Sequence, residues 1–149
     1  MNRSRQLLPV ALILLAFGTL LGCGRGDVTT PARYAFTLNL AGMGPHLGQT
    51  FYLRIWHAGT GNEVARTEIE PLVTTAFSVN VPDTLILGER YYVDFWVDVN
   101  MNDKYDAPPP INPGGDHAWR RVIGPIAGDT ALSFTHDTNW TDIGWPPEP

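Results

Sequence analysis

Segment after segment of this chain alternates apolar and polar residues at a period of two, and no stretch between them carries the 3.6-residue period of an amphipathic helix. Tyr34, Phe36, Leu38 and Leu40 alternate in this way, and so do Phe51, Leu53 and Ile55. The pattern returns in Phe77, Val79 and Val81, in Leu132 and Phe134, and at its strongest in Tyr91, Val93, Phe95 and Val97. Alternation sends one set of side chains into a core and the other outward, so each segment reads as a strand with one buried face. The turn Ala58-Gly59-Thr60-Gly61-Asn62 returns the chain into EVARTEI as a hairpin, Pro82-Asp83 should end the fourth strand, and HAWRRVI adds another near the C-terminus. About seven short strands separated by Gly and Pro turns predict an all-β chain folded as a single Greek-key β-sandwich, with strand 90–98 central.

The first 22 residues stand apart from this pattern. Arg3 and Arg5 precede a largely apolar run over residues 7–21, which has the layout of an export signal. It ends in Leu20-Leu21-Gly22-Cys23, which resembles the lipobox of bacterial lipoproteins. That resemblance implies cleavage before Cys23, lipidation of Cys23 and attachment to a membrane of the cell envelope. Gly24 in place of Asp favours the outer membrane. The chain then divides into a signal peptide (1–22), a lipidated tether (23–32), a sandwich domain (33–144) and a Pro-rich tail (145–149). Cys23 is the only cysteine, so no intramolecular disulfide can brace the domain, and a core or a metal must do so. A hydrophobic content of 44% is enough for a core. The net charge of −5, two units more negative without Arg3 and Arg5, excludes a nucleic-acid partner.

Two local motifs refine the sandwich. Leu85-x-x-Gly88-x-x-Tyr91-x-Val93 resembles the tyrosine corner of immunoglobulin-like domains, in which a Tyr hydroxyl bonds back to the upstream backbone. The resemblance implies an immunoglobulin-like or transthyretin-like arrangement. Just beyond it, Asp98, Asn100, Asn102 and Asp106 place an oxygen-bearing side chain at alternate positions, apart from Lys104, whose carbonyl fills the gap. This run resembles an EF-hand-type calcium loop of the kind found in dockerins, and it implies calcium held by these five residues. Asp103 stands where that loop has Gly, and Pro109 where it has its closing Glu, so Asp116 is expected to complete the shell. Residues 107–116, APPPINPGGD, then read as a flap set by the ion.

The outward phase of two strands carries Tyr52, Arg54 and Trp56 on one and Tyr92, Asp94 and Trp96 on the other. If the strands are neighbours they form an aromatic face around an Arg54–Asp94 pair, suited to a glycan or an envelope protein. His46, His57, His117 and His136, with Met43 three residues before the first, raise the alternative of copper or another transition metal, although their spacing matches no metal signature. Nucleophile-elbow, HExxH and phosphate-loop motifs are lacking, so the chain does not read as an enzyme. These residues predict a lipid-anchored, non-catalytic sandwich of the bacterial envelope that binds calcium at 98–106 and presents an aromatic face or flap to its ligand. A periplasm-facing transition-metal protein and a structural subunit of an envelope assembly are the two alternatives.

Overall fold

In the computed structural model, which describes residues 30–144, every predicted strand segment is a strand. They are β1 (Arg33–Ala41), β2 (Thr50–His57), β3 (Glu63–Ile69), β4 (Phe77–Ile86), β5 (Tyr91–Asp98), β6 (His117–Ile123) and β7 (Thr130–Thr135), with a short 3-10 turn at Gly44–His46. The signal peptide, Cys23, most of the tether and the tail lie outside the described residues. Two sheets pack face to face, one of order β4-β1-β7 and one of order β3-β2-β5-β6. The fold is thus the expected β-sandwich. Its core is the set of alternating positions read from the sequence, among them Phe36, Leu38, Leu53, Ile55, Val93 and Phe95, joined by Trp119 from β6.

β5 lies between β2 and β6, and its residues from Val93 to Asp98 are all buried. Where the chain leaves the three-stranded sheet at the end of β4 and enters β5, the Tyr91 hydroxyl accepts the Ile86 backbone N–H at 2.9 Å. This is the bond a tyrosine corner implies, and it gives the Ile86 backbone donor a side-chain acceptor at the crossing.

One feature differs from the expectation. β4 does not stop at Pro82-Asp83. It bulges opposite Tyr34 and Phe36, with Asp83 at φ 49°, and runs on to Ile86. Because β4 is an edge strand, Pro82 removes no ladder hydrogen bond there. β7 pairs with β1 in parallel, Leu38 opposite Leu132 and Ala41 opposite Thr135. The ends of β1 and β7 therefore emerge side by side, and that end of the sandwich carries the site.

Candidate metal centre

Three histidines distant in sequence meet at this end. His46 closes the 3-10 turn after β1, His117 opens β6, and His136 follows directly on β7, anchored by its N–H to the Ala41 carbonyl at 2.9 Å. His46 Nε2 lies 3.0 Å from His136 Nε2 and 3.4 Å from His117 Nδ1, although the partners are 90 and 71 positions away in the chain. One nitrogen from each ring lies within 4.8 Å of the others, and among the described residues no other set of three His, Cys, Asp or Glu side chains gathers in this way. A tetrahedral ion with metal–nitrogen bonds of about 2.0–2.1 Å needs its nitrogens roughly 3.3–3.4 Å apart, and the two separations from His46, at 3.0 and 3.4 Å, lie near that value.

The protonation pattern favours coordination. The Gln49 amide is oriented by its own Nε2, which donates to the Val99 carbonyl at 3.3 Å, so its Oε1 faces His46 Nδ1 at 2.8 Å. That oxygen only accepts, so the proton sits on Nδ1 and the Nε2 lone pair points into the site. Burial holds His46 below the usual imidazole range, and nearby His136 lowers it further against the opposing bond from Gln49. His117 is pushed down to about 4, first by burial and then by repulsion from His46 and His136. Metal binding requires such neutral rings. Trp119, fully buried, lies edge-on to His136 at 5.6 Å, while Trp140 stacks on His117 at 4.2 Å and 21°. The aromatic rings fix the imidazole planes and screen them from water.

The fourth histidine does not take part. His57 sits at the other end of β2, where its Nε2 meets Glu89 at 3.1 Å and its Nδ1 accepts the Gly59 N–H at 3.2 Å. Met43 is fully buried in the apolar core and is tied to the site through its carbonyl, which accepts the His46 N–H at 3.0 Å.

The oxygen-rich loop is closed on its own backbone. Both Asp98 oxygens accept backbone amides, from Asn102 at 3.2 Å and Asp103 at 2.7 Å. Both Asp116 oxygens do the same, from Val99 at 3.0 Å and Asp106 at 2.8 Å. Asn100 and Asn102 each donate to Asp106 Oδ2, at 2.8 and 2.7 Å, while Asn102 Oδ1 accepts the Lys104 N–H at 2.9 Å. Of the six expected ligands, three side chains meet, and the two buried carboxylates serve as caps for turns. Asp103 takes the left-handed turn expected of it, at φ 60°. Burial pushes Asp116 up to about 6 despite the two amides it accepts.

The aromatic face is assembled as anticipated in register, with Tyr52 opposite Trp96, Arg54 opposite Asp94 and Trp56 opposite Tyr92. Its charge pairing differs. Asp94, 1% exposed, is clamped by Arg120 at 2.6 and 2.7 Å, and Arg54 instead lies over the Trp96 ring at 4.6 Å, with Glu63 at 3.9 Å. β6 places Arg120 directly opposite Asp94, and its fork fits both carboxylate oxygens. Nor is the face open. Tyr52 stacks on Trp96 at 4.7 Å, and Ile143 and Tyr105 pack over it, leaving Trp96 3% exposed. What remains is a polar cavity of about 390 Å³ rimmed by Arg66, Glu68, Glu70 and Asp103, with Tyr52 and Trp96 among its lining.

The histidine centre gave no sequence signal beyond the residue types, because its ligands come from three separate connections. No family model matches the chain, and no curated protein or solved structure matches it.

Proposed function

We propose that this protein binds a transition-metal ion through His46 Nε2, His117 Nδ1 and His136 Nε2, and that it does so in the bacterial envelope, held there through Cys23. The observation that carries the reading is the convergence of one nitrogen from each of three imidazoles, two of the separations being 3.0 and 3.4 Å. Each ligand comes from a different connection, so the ion ties the end of the three-stranded sheet to the first residue of β6 in the other sheet. In a chain with one cysteine, such a link takes the place a disulfide has elsewhere. The test is titration of chelator-stripped protein with Zn(II) and with copper, followed by Trp119 and Trp140 fluorescence and by melting temperature. One equivalent should bind, and His46→Gln or His136→Gln should abolish it. A folded protein that binds neither metal removes the proposal.

A second reading keeps calcium at residues 98–106, favoured by the meeting of Asn100, Asn102 and Asp106 on one oxygen. Rotation of the two Asn amides would turn their oxygens toward an ion at that point. Calcium should then raise the melting temperature of the wild type and leave Asp106→Ala unchanged. An equal response in both discards it. A glycan or protein ligand at the neighbouring cavity belongs with this reading.

A further inference from the structure

We infer that the ion selected by the three-histidine centre is monovalent copper, Cu(I), in preference to Zn(II) and other dications. This deepens the metal-binding reading and rests on it. Charge sets the preference. Taking an ion out of water costs a free energy that rises with the square of its charge, so a dication requires about four times the compensation of a monocation. Dication sites meet that requirement with carboxylates, thiolates or a bound hydroxide. Here the ligands are three imidazoles, which bind a metal as uncharged groups, and among the described residues their ring nitrogens contact only one another and the uncharged Gln49 amide.

The acids beside the ligands in sequence are committed elsewhere. Asp116 precedes His117, but its two oxygens accept the Val99 and Asp106 backbone amides. Asp137 follows His136, and its Oδ1 accepts Trp119 Nε1 and the Asn139 N–H while Oδ2 faces Arg121 at 3.8 Å. The surroundings are aromatic instead, with Trp140 on His117 and Trp119 edge-on to His136 and His46. Three nitrogens suffice for Cu(I), which is satisfied by trigonal coordination, and imidazole is among the ligands that suit copper.

The experiment uses the full chain carrying Cys23→Ser, so that the single thiolate cannot compete for copper. Metal-free protein is titrated anaerobically with Cu(I) against a Cu(I)-specific chromogenic chelator, and separately with Zn(II) against a zinc indicator. Cu(I) should bind more tightly by about a hundredfold or more, a ratio that corresponds to roughly 2.7 kcal/mol. Trp140→Glu compared with Trp140→Gln then isolates the effect of charge. Both remove the ring from His117, but only Glu supplies a negative charge. Glu should shift the preference toward Zn(II) by about tenfold relative to Gln, and the ratio of the two constants is informative even if both variants are less stable. Zn(II) binding as tight as Cu(I), or the same preference in the Glu and Gln variants, overturns the inference while leaving a metal site in place. Binding of neither ion removes the metal-binding reading itself.

Discussion

Acidification of the metal-free protein should act through His117, and the size of the effect follows from where that ring sits. Its pKa is about 4 in the fold against 6.5 as the ordinary value, so between these limits the unfolded chain holds a proton that the folded one refuses. Stability contributed by the neutral ring is therefore complete above pH 6.5 and is lost as the pH falls toward 4. The full difference corresponds to about 3.4 kcal/mol at 1.36 kcal/mol per unit. Solvent screening at a half-buried ring brings this to about 1–2 kcal/mol. Asp116 works in the opposite sense, since its pKa of about 6 lies above the ordinary 3.8 and the fold gains from its protonation as pH falls through 6. The two windows overlap, so the wild-type profile alone is ambiguous. The informative quantity is the difference between wild type and His117→Gln, in which the Asp116 contribution cancels. Urea unfolding of both proteins with chelator present, from pH 7.5 to 4.5, should show that difference shrinking by about 1–2 kcal/mol on acidification. A difference independent of pH, or one that grows as pH falls, refutes the argument that burial and neighbouring rings hold His117 neutral.

Saturating metal should raise stability by about 2.7 kcal/mol at a hundredfold excess over Kd, or on the order of 10 °C in Tm, and calorimetry of His136→Gln should show no such gain. Tyr91→Phe strips the acceptor from the Ile86 N–H at the corner between β4 and β5, and should cost about 1–3 kcal/mol in urea unfolding. Arg120→Met leaves the Asp94 carboxylate buried without its bidentate partner and should cost about 3–5 kcal/mol. A loss below about 1 kcal/mol would mean that Arg54 takes over the pairing. A Cβ at Gly115 would stand 1.8 Å from the Ala107 carbonyl oxygen, so Gly115→Ala must force the loop apart. The cost should be about 1–3 kcal/mol, with faster hydrogen exchange at Val99 and Asp106, whose amides rest on Asp116.

What could be read from the sequence and what could not divide along a physical line. Alternation is a property of a strand alone, and it located β1, β2, β4, β5 and β7 because each buries one face in the common core, while the turn at 58–62 pointed to β3. The tyrosine corner was legible for the same reason, since Ile86 and Tyr91 are five residues apart and their bond is local. The partner of Asp94 was not, because a carboxylate in the middle of a sheet has two neighbouring strands. Arg54 on β2 and Arg120 on β6 both stand opposite it, and only three-dimensional packing decides that Arg120 reaches it while Arg54 lies on Trp96. Asp98 and Asp116 carried the same ambiguity, as a carboxylate suited to a cation is equally suited to the backbone amides of a tight turn, and here the amides of Val99, Asn102, Asp103 and Asp106 occupy both. The histidines are the extreme case. Their convergence depends on β7 lying parallel to β1, which sets Thr135 beside Ala41 and brings His136 to the turn that carries His46. It depends as well on β6 beginning opposite Val97, which puts His117 at the same end of the second sheet. Neither pairing leaves a trace in spacing along the chain. A site assembled by register between strands can thus be strongly preorganised and still have no motif, and the place to look for one in a sandwich is the end where two sheets deliver strand termini together.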